Sequence, residues 1–158
     1  MGELSLGGAM SPSQSSPEYA GDIDAAEAWD MLTGDPKAQL VDVRTMAEWN
    51  FVGLPDLAPL GRRVHCVEWQ SFPSMAPNPD FVQATEGALT ASGAEKETPV
   101  LFLCRSGARS RAAAMAMTRA GYARAFNIAG GFEGDLDGER HRGHSNGWKA
   151  AGLPWKQS

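Results

Sequence analysis

The stretch Val100–Arg111, VLFLCRSGARSR, decides how the rest of the chain is read. Its first four residues are continuously apolar, the pattern of a strand buried on both faces of a parallel sheet. Cys104–Arg109 follows as a short loop containing Gly107, and the alanine-rich run Ser110–Ala120, ended by Gly121, predicts a helix. The loop therefore lies at the carboxyl end of a strand, where open α/β sheets hold their ligands.

Working outward, the same alternation recurs. Asp24 and Glu27 have capping-box spacing, and Ala25, Ala28, Trp29 and Leu32 fall on one helical face before Gly34 and Pro36. Gln39–Val43 (QLVDV) predicts a strand, and Thr45 with Glu48 opens a second, short helix through Trp49. Residues 52–61 read as loop and Val64–Val67 as a strand. Asn78-Pro79 is suited to start a helix across Asp80–Leu89. Ala125–Ile128 supplies another strand, and a short helix is expected near Trp148–Ala151. The fold class is α/β, with a mainly parallel central sheet of about five strands and helices on both faces.

Composition narrows the function. The chain has 158 residues, 42% hydrophobic and 21% charged, with a formal net charge of −5. The acids Glu3, Glu18, Asp22, Asp24, Glu27, Asp30 and Asp35 all precede the first Lys or Arg. That balance argues against nucleic acid as a partner. No apolar run approaches the ~18 residues of a membrane span, so no membrane partner is expected. Cys66 and Cys104 cannot build a disulfide framework or a zinc site, and the N-terminus has no secretory pattern. A cytoplasmic location is expected. Residues 1–18, rich in Gly, Ser and Pro, read as a disordered tail, and 19–158 as a single domain.

Chemistry concentrates at Cys104. A loop that curls after the strand turns successive backbone N–H groups toward the sulfur, and the following helix N-terminus adds positive potential. Arg105, Arg109 and Arg111 bring cations to the same place. Each effect favours thiolate over thiol and makes Cys104 a nucleophile. A cysteine that merely ends a core strand would explain the sulfur but not three arginines beside it. Asp42 and Arg44 end the QLVDVR strand on the loop's side of the sheet and suit a structural ion pair or a hydrogen bond that supports the loop, in preference to direct catalysis.

These pieces together resemble the rhodanese (sulfurtransferase) domain family, single-domain type. CRSGARS is similar to its active-site loop, LVDVR with Glu48-Trp49 to its early strand and helix, and AFNIAGGF and GWKAAGLPW to its closing elements. The resemblance spans about Tyr19 to Trp155. It implies a thiosulfate sulfurtransferase in which Cys104 takes a sulfane sulfur from a small donor and holds it as a persulfide. Cyanide, a thiol or a protein acceptor then removes it. The resemblance also implies that Arg105, Ser106, Gly107, Ala108 and Arg109 cradle and bind the transferred group, with Ser110 in support. No cofactor and no metal are implied. Phe51–Arg63 and the insertion Glu133–Asn146 depart from the family pattern.

Two other readings stand beside this one. A non-catalytic rhodanese-like binding module would lack a reactive cysteine. A cysteine-dependent phosphatase or arsenate reductase needs five residues between its cysteine and its arginine; here Arg109 leaves four, Arg111 leaves six, and the required position is Ser110. In the insertion, Asp135, Asp137, Glu139, His141 and His144 hold metal-binding side chains, but the Gly-rich context predicts a solvated loop. Cys66, in VHCVEW, is expected as a packed strand residue.

Overall fold

The computed structural model describes residues 18–157. The expected disordered tail, 1–18, lies outside the described residues except for Glu18. In chain order the elements are β1 (Gly21–Ile23), α1 (Ala25–Gly34), β2 (Gln39–Asp42), α2 (Met46–Phe51), β3 (Leu54–Pro55), a 3-10 turn (Ala58–Leu60), β4 (His65–Cys66), β5 (Gln70–Ser71), β6 (Ala76–Pro77), α3 (Phe81–Ala91), β7 (Val100–Leu103), α4 (Ala108–Arg119), β8 (Ala125–Ile128) and β9 (Trp155–Lys156).

Five strands make one sheet in the order β1-β8-β7-β2-β4, and every neighbouring pair runs parallel. β7 lies at its centre, with all four residues fully buried. Its side chains alternate between two cores. Val100 and Phe102 pack with Phe81 and Leu89 of α3 and Ala113 and Met117 of α4. Leu101 and Leu103 pack with Ala28 and Leu32 of α1, Phe132 and Trp148 on the other face. Full burial of each such side chain contributes about 1.5–3 kcal/mol, so the strand that delivers Cys104 is held from both sides.

Local chemistry fixes the helix starts. The Asp24 carboxylate accepts from Glu27 N at 2.8 Å while Glu27 accepts from Asp24 N at 2.9 Å. Thr45 and Glu48 repeat the arrangement at the head of α2, at 3.2 and 3.1 Å. The register sets Asp42 of β2 opposite Leu103 of β7, so both strands end beside the same loop.

Several local expectations change. α4 begins at Ala108, two residues before the expected Ser110, because Gly107 at φ 120° turns the chain early. Asn78 does not cap α3: its Oδ1 accepts from Asp80 N at 3.0 Å and its Nδ2 donates to Glu68 O at 2.8 Å, and the helix starts only at Phe81. The expected helix at Trp148–Ala151 is a pair of turns between Gly147 and Gly152, whose φ of 98° and 76° a continuing helix does not adopt. The segment expected as loop, 52–61, contains β3, which pairs antiparallel with β9. β5 and β6 form a second small hairpin. No helix among the described residues is long and apolar enough to cross a membrane.

Candidate active site

Cys104 is the first residue after β7 and is nearly closed off from solvent, 2% exposed. Its Sγ accepts from the Gly107 backbone N–H at 3.1 Å and lies 3.2 Å from the Ser110 hydroxyl. Both donors belong to the turn and first turn of α4, whose positive end therefore faces the sulfur. Gly107 is required there: at its positive φ, a Cβ would run into Ala129 O.

The outer side of the loop is tied to a second glycine turn after β8. Phe132 N donates to Cys104 O at 2.8 Å, and Glu133 N and Gly134 N both donate to Arg105 O at 3.0 Å. This close approach needs Gly131, where φ is +64° and an added Cβ would stand 2.5 Å from Arg105 O and 2.6 Å from Cys104 O. The loop is thus clamped on its carbonyl side.

Behind the sulfur runs a polar chain that leads from buried Ser110 and Asn127 out to the exposed Asp22. Ser110 Oγ is 2.5 Å from Asn127 Oδ1, and Asn127 Nδ2 donates to Asp22 Oδ1 at 3.0 Å. Tyr19 OH donates to the same carboxylate at 2.9 Å. Asp22 fixes which way the Asn127 amide points, so its oxygen faces Ser110. The hydroxyl has one proton to give. With Cys104 as a thiol, Ser110 donates to Asn127 and accepts from S–H; with a thiolate, the hydroxyl turns to the sulfur.

Arg109 does not stand free over the loop, as its place in CRSGARS suggested. It makes a bidentate pair with Glu48, Nη1–Oε1 at 2.8 Å and Nη2–Oε2 at 3.0 Å, joining α4 to α2. Burial of Glu48 works to raise its carboxyl. The Arg109 guanidinium and the Thr45 donors outweigh that and hold it at about 2. Arg105 is exposed and makes no salt bridge among the described residues. Ser106 is half-buried and Ala108 exposed at the loop surface.

Asp42 and Arg44 form the ion pair their spacing suggested, and it is fully buried. Arg44 Nη2 lies 2.7 Å from Asp42 Oδ2 and donates to Gly53 O at 2.7 Å. Its guanidinium stacks over Phe132 at 4.3 Å from the ring centroid. The pair ties the end of β2 to the α2–β3 connection and to the residue that hydrogen-bonds Cys104 O.

Cys66 is exposed on the edge strand, contrary to the expected packed position. Desolvation around its sulfur and the Asp42 carboxylate push the thiol up to about 12. It stays protonated and is a poor nucleophile. In the insertion, Asp137, His141 and His144 bring one donor atom each to within 4.8 Å of one another without a helix. Asp137 Oδ1 accepts two backbone N–H bonds, from Glu139 and His141, and Oδ2 faces His144 Nδ1 at 3.3 Å. These three are the side chains best placed among the described residues to hold a metal.

Sequence reasoning missed Asn127, Asp22 and Gly131. The run AFNIAGGF carries two of them, but the link from Asn127 to Ser110 spans 17 residues and appears only once β8 lies beside α4.

The model of the STR4 middle domain matches residues 20–158. The chain belongs to that family. An uncharacterized protein of Rickettsia conorii is 37% identical over 134 residues, covering 85% of this chain and 95% of its own. Its counterpart in Rickettsia prowazekii is 35% identical over the same span. Among solved structures, Rv0390 from M. tuberculosis is 50% identical with a TM-score of 0.77, over 89% of this chain and 99% of that one. The solution structure of the polysulfide-sulfur transferase homodimer from Wolinella succinogenes is 21% identical with a TM-score of 0.53, over 87% and 78%. That last likeness is one of fold. The rhodanese resemblance read from the sequence therefore holds as a rhodanese-like fold, and the family that matches is the STR4 middle domain.

Proposed function

We propose that this protein is a sulfurtransferase that carries one sulfur atom on Cys104. The observation that carries the reading is the placement of the Cys104 sulfur. It sits at the end of a rigid buried strand, with the Gly107 N–H and the Ser110 hydroxyl both within hydrogen-bond reach at the head of α4. Donors fixed in this way stabilise negative charge on sulfur without reorganising during the reaction.

With thiosulfate as donor, the Cys104 thiolate attacks the outer, sulfane sulfur. A new S–S bond forms, the bond to the sulfonate sulfur breaks, and its electron pair leaves with sulfite. In the second half, cyanide or a thiolate attacks the outer sulfur of the persulfide, and the pair returns to Cys104 Sγ. Neither step needs a general acid or a cofactor. The tight α4 start supports a single-sulfur cradle. So does the engagement of Arg109 by Glu48, because the loop arginine nearest the phosphatase position is thereby turned to a carboxylate and away from an oxyanion. A purely binding module has no use for the hydrogen-bonded Ser110–Asn127 pair buried behind the sulfur.

Steady-state thiocyanate formation from thiosulfate and cyanide tests the reading. Cys104→Ser abolishes it and Cys66→Ser retains it. Turnover that survives Cys104→Ser would refute the proposal.

A further inference from the structure

Three of the six large hydrophobic side chains exposed among the described residues line a single groove: Phe51, Phe72 and Met75. They arrive from different elements, Phe51 from the end of α2 and the other two from the turn between β5 and β6. Phe51 is 80% exposed and Phe72 63%. The far wall is made by Arg105 and Arg109, from the loop and helix start that enclose the Cys104 sulfur. The groove has a volume of about 690 Å³, in the range that takes a small molecule.

Its charges cancel. Two arginines, Arg105 and Arg109, and two glutamates, Glu48 and Glu133, line it, so its formal charge is zero, and Arg109 is already neutralised in its pair with Glu48. Such a surface gives little net attraction to a dianion, and neither thiosulfate nor cyanide fills it. An uncharged, apolar body does, displacing water from two aromatic faces and a polarizable thioether.

We propose that this groove binds the apolar body of a low-molecular-weight thiol, the acceptor that takes the sulfur from Cys104. The inference rests on the sulfurtransferase reading and names its acceptor class. The thiol R–SH loses its proton to water. R–S⁻ then attacks the outer sulfur of Cys104–S–SH, the Cys104 S–S bond breaks with its electron pair left on Sγ, and R–S–SH departs. No oxidant or reductant enters.

The test loads the full-length protein with thiosulfate, removes excess donor, and follows single-turnover discharge by straight-chain thiols from ethanethiol to pentanethiol. These thiols differ little in acidity, so their intrinsic nucleophilicity is matched. The expected discharge rate rises roughly threefold per added methylene, nearly thirtyfold across the series. Mercaptoethanesulfonate, which carries a fixed anion, discharges no faster than ethanethiol. Phe72→Ser combined with Met75→Ser flattens the series, and Phe51→Ser on the separate α2 wall does the same. Leu136→Ser, an exposed apolar residue outside the groove, keeps the slope. Loading followed by a flat series overturns the inference alone and leaves the rim to a macromolecular acceptor or a second copy. Failure to load sulfur on Cys104 overturns the sulfurtransferase reading, and the inference with it.

Discussion

Replacing Gly131 by alanine perturbs the cradle without touching any reactive group. Its φ of +64° is a left-handed conformation that costs an alanine about 1 kcal/mol. The added Cβ would stand 2.5 Å from Arg105 O and 2.6 Å from Cys104 O, where ordinary contact begins at 3.4 Å. Both carbonyls must retreat by about 1 Å, as overpacked groups do. Those carbonyls accept from Phe132, Glu133 and Gly134 at 2.8–3.0 Å, so one or two of these bonds are lost. Each loss in a buried setting costs about 1–3 kcal/mol. The sum is about 4 kcal/mol, a drop in melting temperature of about 10 °C for a chain of this size. Because the Cys104 and Arg105 peptide units move, the Gly107 N–H also leaves the sulfur, and alkylation of Cys104 by iodoacetamide slows in the folded variant. Thermal melts and timed alkylation below the transition measure the two effects. A variant melting within about 2 °C of wild type, with unchanged alkylation, would refute the claim that the glycine turn clamps the loop.

Other perturbations separate the supporting parts. Ser110→Ala removes a donor to the thiolate, and a hydrogen bond to a charged group contributes about 1.5–3 kcal/mol; alkylation of Cys104 slows about tenfold, and loss of the buried bond to Asn127 lowers stability by about 1–3 kcal/mol. Glu48, held at about 2 in the folded chain against an ordinary 4.5, contributes stability that is present above about pH 4.5 and lost as pH falls through about 2. Denaturant titrations of wild type and Glu48→Gln therefore differ by up to about 3 kcal/mol at pH 7 and converge near pH 2; a constant difference across that window would contradict the pairing. Arg44→Leu leaves the Asp42 carboxylate buried without its cation and destabilises by about 3–5 kcal/mol in urea, and adding Asp42→Asn recovers part of the loss.

The parts of the fold legible in the sequence were those set by short-range chemistry. The capping boxes at Asp24–Glu27 and Thr45–Glu48 act over three residues, and β7 and β8 were readable as unbroken apolar or alternating runs. The boundaries that moved depended on contacts from elsewhere. Gly107, at φ 120° and packed where Ala129 O leaves no room for a Cβ, starts α4 early, and β9 exists only because Pro55 lies opposite Trp155. At the candidate site, Cys104 and its loop stand out in CRSGARS. The partner of Arg109 does not, because Glu48 lies 61 residues away and served in the sequence only as a helix cap. The same carboxylate does both jobs, so one of the loop's three arginines, Arg109, is neutralised while Arg105 and Arg111 are without a salt bridge among the described residues. The hydrophobic groove was equally hidden. Phe51, Phe72 and Met75 carry no periodicity, and only the packing of α2 against the β5–β6 turn gathers them.

The central claim is that Cys104 itself holds the transferred sulfur, and peptide mass analysis tests it most directly. After incubation with thiosulfate and removal of the excess, the intact protein should gain the mass of one sulfur atom. Digestion should place that gain on the peptide containing Cys104, and cyanide should remove it. A protein that gains no mass, or that carries the sulfur on the Cys66 peptide, would contradict the account.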